Sequence, residues 1–246
     1  MIKFRLSLMM LLQYMMYAVW WVPLAAYLTN LEVSSTQKAL ILSSMAIGCM
    51  ASPLVGMLAD RFWPAQKVLA GLNFVHAIML LWAATTHNPD ALFICLLLAM
   101  IAYMPSWSLT SAIAMAHLPS EDFPKVRVFG SIGWVASGIF SLIFIKLLNI
   151  DFDGTHLPFY CGAGVSVIAV ILNLTLPNTP PLAKGQKSTL IDAFGLGSVQ
   201  LMKDRNFALF ILFSFLSMIP FAMYYSYFSE FLLNINTKYI SITTNW

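Results

Sequence analysis

The sequence predicts an all-α protein that crosses a membrane seven times, six helices forming one bundle and a seventh following a polar linker. Three observations carry this. The 246 residues are 60% hydrophobic and only 9% charged, with a mean hydropathy of +0.80; a soluble domain is nearer one quarter charged, so too few charges remain to clothe a water-facing surface. Seven stretches reach the roughly 20 mostly apolar residues that a spanning helix needs. Lysine and arginine fall unevenly between the turns that separate them.

The spans are expected at residues 6–28, 38–58, 67–86, 91–115, 127–148, 157–176 and 207–233. The first opens on Lys3 and Arg5 and holds "PLAAY", which together resemble a cleavable leader. Its long apolar run, with Trp20 and Trp21, and the further spans behind it favour a retained helix instead. "TNLEVSSTQ" follows the first span, "ADRFWPAQ" the second, "THNPD" the third, "HLPSEDFPK" the fourth and "NIDFDGTH" the fifth. The longer "PNTPPLAKGQKSTLIDAFGLGSVQLMKDRN" follows the sixth and reads as a linker between two halves. The expected organisation is therefore a bundle over residues 1–176, a cytoplasmic linker over 177–206, the first helix of a second, incomplete bundle over 207–233, and a polar tail over 234–246. Six spans, a linker and one more span look like half of a transporter cut short.

With the N-terminus in the cytoplasm, Lys3, Arg5, Arg61, Lys67, Lys125, Arg127, Lys184, Lys187, Lys203 and Arg205 lie inside, against Lys38, Lys146 and Lys238 outside. That bias of 10 to 3 predicts an N-in, multi-pass protein of the cytoplasmic (inner) membrane. The net charge of +3 points to no nucleic-acid partner. Cys49, Cys95 and Cys161 each sit in an apolar run, and none forms a C-x-x-C pair. They read as small buried residues, and neither a metal site nor a cofactor is expected. "FGSIGW" sets a serine among glycines with no evident histidine partner, so no catalytic residue is expected either.

The second span carries Ser44, Gly48, Ser52 and Gly56 at intervals of four, a small-residue stripe suited to close helix packing, with Pro53 expected to bend it. The turn after it, "GMLADRFWPAQK", places Asp60 and Arg61 at the membrane edge. It resembles the signature loop of the major facilitator superfamily, which implies a gating role for the pair. Trp63-Pro64 stands where that loop has a glycine. The fifth span presents Gly130, Gly133, Ser137 and Ser141 for packing. On one face it also places Arg127, Ser131, Trp134, Gly138 and Ser141. A charge on a lipid face is costly, so Arg127 either points into a cavity or extends its long stem to the headgroups; spacing alone leaves both open.

Gln13, Tyr17, Trp20, Leu24 and Tyr27 share a face of the first span, and Tyr103, Trp107 and Ser111 follow one another around Pro105 in the fourth. Tyr17 and Tyr103 lie deep and are read as lining a cavity, where aromatic faces stack on flat rings. Trp20, Trp21, Tyr27 and Trp82 lie near span ends and are read as interfacial belt residues. His76, mid-span and one turn from Asn73, is read chiefly as a partner of a neighbouring helix, with proton carriage as the lesser alternative. On the seventh span, Tyr224, Tyr225 and Tyr227 near Pro220 suggest a broken or bent helix lining a path, and Glu230 lies toward its outer end.

Together these pieces resemble the nucleoside:proton symporter family of the major facilitator superfamily. The resemblance rests on "LQY" at Leu12 to Tyr14 with Trp20 and Tyr27, the Gly56 to Asp60 turn, "AYMP" at Ala102 to Pro105, "DFPKVRVFGSIG" from Asp122 to Gly133, and "LTLP" from Leu174 with Pro180. It covers residues 6–233. The family implies twelve helices in two six-helix bundles carrying nucleosides inward with protons by alternating access. It implies that Arg127 reaches the nucleoside and that Ser131 and Trp134 line the same pocket. Tyr17, Tyr103 and Tyr225 complete the expected substrate-binding set. Relatives place amide residues on the seventh helix where this chain has Ala222 and Tyr225, so its base or sugar preference is expected to differ. The expected partners are a nucleoside, protons, the lipid bilayer and a C-terminal bundle missing here. The rival readings are a facilitator permease for another small solute and a non-transporting membrane fragment.

Overall fold

The computed structural model describes residues 2–181 and 201–243; the side chains of residues 58, 229–230, 233–234 and 236–243 are not described. Lys184, Lys187 and Asp192 of the expected linker, and the side chains of Glu230 and Lys238, therefore lie outside the described residues. Among those described, the helices are α1 (Ile2–Asn30), α2 (Ser35–Cys49), α3 (Ser52–Arg61), α4 (Ala65–Thr85), α5 (Pro89–Tyr103), α6 (Ser106–His117), α7 (Phe123–Ala136), α8 (Gly138–Leu147), α9 (Leu157–Leu174) and α10 (Arg205–Thr243). They make seven segments long and apolar enough to cross a membrane, since α2–α3, α5–α6 and α7–α8 each form one interrupted span.

Local chemistry explains the starts and breaks. The Ser34 hydroxyl accepts from the Gln37 amide ahead of α2, and the Asn88 side chain accepts from the Asp90 and Ala91 amides ahead of α5. Each satisfies donors that the first helical turn leaves orphaned. Pro105, which has no amide to donate, stands between α5 and α6. The α7–α8 break at Ser137 carries no proline; the Ser137 hydroxyl donates to the Trp134 carbonyl at 2.7 Å there. α10 continues from Arg205 to Thr243 with Pro220 inside it. The helix is not broken at Pro220, the first of the two alternatives expected there, and it runs on through the polar residues after 233.

α1 is the hub. It packs on α7, α9, α10 and α6, while α4 packs on α9 and α5, and α2 on α5. Two glycines allow backbones to touch. A Cβ at Gly133 would overlap the Leu11 carbonyl of α1, and one at Gly48 would stand 2.7 Å from the Met100 backbone of α5. The stripe on the second span thus packs at Ser44 and Gly48, whereas Gly56 has open space around it. Trp20, Trp21 and Tyr27 are buried at 0%, 2% and 7% exposure, so they are core residues and not the belt expected from sequence. Position near a span end gives depth, but neighbours cover most of α1 between Leu6 and Leu28. Trp82 is 48% exposed.

The chain leaving α9 is fastened under the bundle. Arg5 donates to the Thr175 carbonyl at 2.9 Å. The Ala65 amide donates to the Thr179 carbonyl at 3.0 Å, and the Thr179 amide to Gln66 Oε1 at 2.9 Å. Gln66 also donates to Asn178, and His117 lies 2.9 Å from the Thr179 hydroxyl.

Candidate functional site

The site grows from Tyr17, two turns short of Pro23 in α1. Its ring stacks on Tyr103 of α5 at 4.7 Å between centroids and on Trp21 at 5.3 Å. It meets Trp134 of α7 edge-on at 5.6 Å. Trp134 in turn meets Tyr225 of α10 edge-on at 5.3 Å. Tyr14, one turn from Tyr17, stacks on Trp107 of α6 at 5.6 Å. Such offset and edge-on pairs are favourable geometries for rings with negative faces and positive edges. Five elements therefore contribute to one aromatic cluster.

Arg127 joins it. Its guanidinium carbon lies 4.7 Å above the Tyr14 ring centroid. Among the described residues no carboxylate pairs with it. The nearby Asp122 is already held by Lys3 at 2.5 Å and Lys125 at 3.1 Å. Hydrogen bonds from Lys3 first and Lys125 second keep the Asp122 carboxyl below its ordinary range. The structure thus brings Arg127, Trp134, Tyr17, Tyr103 and Tyr225 together. Ser131 is exposed on α7 and makes no hydrogen bond among the described residues. Asp60 and Arg61 sit at the end of α3, the first exposed and the second half-buried, with no ion pair among the described residues.

The cluster rests on a polar floor in which the amides and hydroxyls are paired, whereas buried His76 Nε2 and Trp107 Nε1 find no hydrogen-bond partner among the described residues. The Tyr103 hydroxyl donates to the Gln13 carbonyl at 2.8 Å. The Gln13 and Asn73 amides pair at 3.1 Å, and Gln13 also donates to Ser106 at 2.5 Å. His76 Nδ1 lies 2.9 Å from the Ser166 hydroxyl. That hydroxyl donates to the Gly162 carbonyl at 2.7 Å, so it accepts from His76, which places the imidazole proton on Nδ1. His76 is thus an interhelical partner, its ring 5.3 Å from that of Tyr103. Tyr17 and Tyr103 are 2% and 0% exposed and lie within this floor. Tyr14, Trp107, Trp134, Tyr225 and Arg127 are the accessible members.

Sequence reasoning passed over Tyr14 and Trp107 as site residues. The spacing Tyr14–Tyr17 and Tyr103–Trp107, each one helical turn, was the available signal. A separate groove of about 600 Å³ runs between α1 and the α7–α8 break, with Val19, Val22, Val135, Leu142, Ser141 and Asp153 among its walls. Burial, with Asp151 adding, pushes the Asp153 carboxyl up against an opposing hydrogen bond from Ser141. Among the described residues no group of histidine, cysteine or acidic side chains could hold a metal ion.

A family model described as Nucleoside H+ symporter matches residues 1–245. The putative nucleoside transporter YegT of Escherichia coli (strain K12) is 35% identical over 238 residues, covering 95% of this chain and 56% of that protein. The nucleoside permease NupG of the same organism is 30% identical over 223 residues, covering 87% and 52%. A crystal structure of a mutant of the nucleoside transporter NupG superposes with a TM-score of 0.83 at 27% identity, over 96% of this chain and 60% of that one. The xylose transporter XylE from E. coli, at 15% identity and a TM-score of 0.57 over 73% of this chain and 51% of that one, shares the fold alone. The chain spans about half the length of the curated relatives it matches.

Proposed function

The chain belongs to the nucleoside H+ symporter family, and from that premise we propose that it supplies the N-terminal six-helix bundle and the first helix of the second bundle of a proton-coupled nucleoside permease. In this reading residues 177–206 link the bundles on the cytoplasmic side and the N-terminus lies in the cytoplasm. Residues 207–233 begin the second bundle. The permease sits in the inner membrane. One bundle rocks against the other around a mid-membrane site, and protonation of a carboxylate biases the two states.

The observation that supports the reading is Arg127, uncommitted to any described carboxylate and set against Tyr14 beside the Trp134–Tyr225 pair. Aromatic faces suit a nucleobase, and an uncommitted guanidinium suits its carbonyls or the ribose hydroxyls. Trp134 and Tyr225 present the ring faces, Ser131 lines the rim, and Tyr17 and Tyr103 back them. Asp60 and Arg61 act as a gate at the membrane edge.

The test replaces the matching half of E. coli NupG with this chain and measures labelled uridine uptake into cells. Uptake that an uncoupler abolishes and unlabelled uridine competes away is expected. Arg127→Ala is expected to remove uptake while membrane abundance stays at the parent level. Undiminished uptake by that variant would sink the pocket assignment. Uptake suppressed by another solute but not by uridine would make the chain part of a different permease.

A further inference from the structure

We infer that Tyr14 is the positioning residue for Arg127, with Gly130 as the notch that lets the two meet; the inference rests on the nucleoside-transport reading above. An arginine one turn into a span can extend toward headgroups or fold toward the protein. Here it folds. Gly130 lies one turn beyond Arg127 on the same face of α7. A Cβ at Gly130 would stand 2.9 Å from Tyr14 Cδ2 and 3.2 Å from Arg127 Nη1. The ring of α1 and the guanidinium of α7 therefore share the space that a side chain at 130 would fill. Trp107 of α6 stacks on the same Tyr14 ring, so three helices fix its plane.

The choice of an aromatic partner has a chemical consequence. A carboxylate would hold the guanidinium by taking its in-plane N–H groups, two at a time. A ring holds it by its face, and the Tyr14 hydroxyl takes one further contact from it. Arg127 is thus fixed in place with most of its five N–H donors still available to a neutral, oxygen-rich solute. The local acid, Asp122, is kept away by Lys3 and Lys125. Tyr14 acts through Arg127; it need not touch the solute.

Two measurements test this. The first needs no substrate: phenylglyoxal modification of this chain in lipid nanodiscs, read by mass spectrometry at Arg127, with Arg5 and Arg61 as internal controls. Tyr14→Leu and Gly130→Ala are each expected to raise Arg127 reactivity ~3-fold or more, as loss of a partly desolvated cation–π contact allows, while Tyr14→Phe stays at the parent rate. Arg5, held by the Thr175 carbonyl, stays unchanged; a rise at all three arginines means general loosening and overturns the inference, as does an unchanged Arg127 rate in both variants. The second is uridine uptake by the chimaera. Tyr14→Leu is expected to raise KM about 5- to 30-fold with little change in maximal rate, and Tyr14→Phe to restore the parent KM. A fall in maximal rate with KM unmoved overturns the positioning role. A parent chimaera that takes up no nucleoside overturns the transport reading, whereas the reactivity at Arg127 still decides whether Tyr14 holds it.

Discussion

The first and seventh spans are both long, apolar helices, yet they stand in opposite relations to the rest of the molecule. The most apolar window of the first span has a mean hydropathy of 1.4 and is 72% buried; that of the seventh reaches 2.1 and is 0% buried. In water the ranking would be reversed. In a bilayer, lipid supplies apolar surroundings to a helix with few polar groups, and in the reading proposed above further helices of the second bundle would cover part of α10 as well. The helix with Ser7, Gln13 and four buried aromatic rings must be enclosed, because its polar groups find partners only in other helices. Hydropathy here measures fitness for lipid, and polarity marks the interior.

The sharpest way to break this comparison is to push α1 away from α7. Gly133→Val places a branched side chain where the Leu11 backbone lies, and is expected to cost about 3 kcal/mol or more of stability. Phe213→Ala on α10, where the side chain is 62% exposed, is expected to stay within about 0.5 kcal/mol. Thermal unfolding in detergent compares the two, and equal losses would end the distinction. A smaller effect sharpens it. Gln13→Leu leaves Asn73 and Ser106 without their partner and is expected to cost about 1–3 kcal/mol, although it makes α1 more apolar. The smallest lies outside the spans. Because Lys3 and Lys125 hold the Asp122 carboxyl down, its contribution is present above the unfolded value near 3.9 and lost as pH falls through the lower folded value. Asp122→Asn is expected to lower the apparent Tm slightly at pH 7, less so in high salt. Once the pH has fallen below the lowered folded value, the variant and parent should converge.

The span positions were legible in the sequence because apolar length is a property of composition. The third is expected at 67–86 and found at Ala65–Thr85; the sixth is expected at 157–176 and found at Leu157–Leu174. The fourth span is expected as one stretch; Pro105 was a signal available for the α5–α6 break, whereas nothing comparable marked the one at Ser137. Arg127, Trp134 and Tyr225 could be picked out singly by the cost of a charge in a span and by aromatic spacing. Which of their neighbours they meet could not. Gln13 and Asn73 are 60 residues apart, and their pairing depends on how α1 and α4 are rotated. The same limit hid Tyr14, whose importance comes from Gly130 across a helix interface. It also placed Trp20 and Trp21 at a lipid boundary, whereas Trp20 lies against His76 of α4 and Phe159 of α9 and Trp21 stacks on Tyr17.

The fastening of residues 175–179 beneath the bundle has a mechanical meaning. A chain that simply ran out of α9 would deliver any pull from the following segment to that one helix. Thr175 is tied to Arg5, and Thr179 to Ala65, Gln66 and His117. A load applied beyond Thr179 is therefore shared among the ends of α1, α4 and α6. Three spans besides the sixth thus take up that pull together.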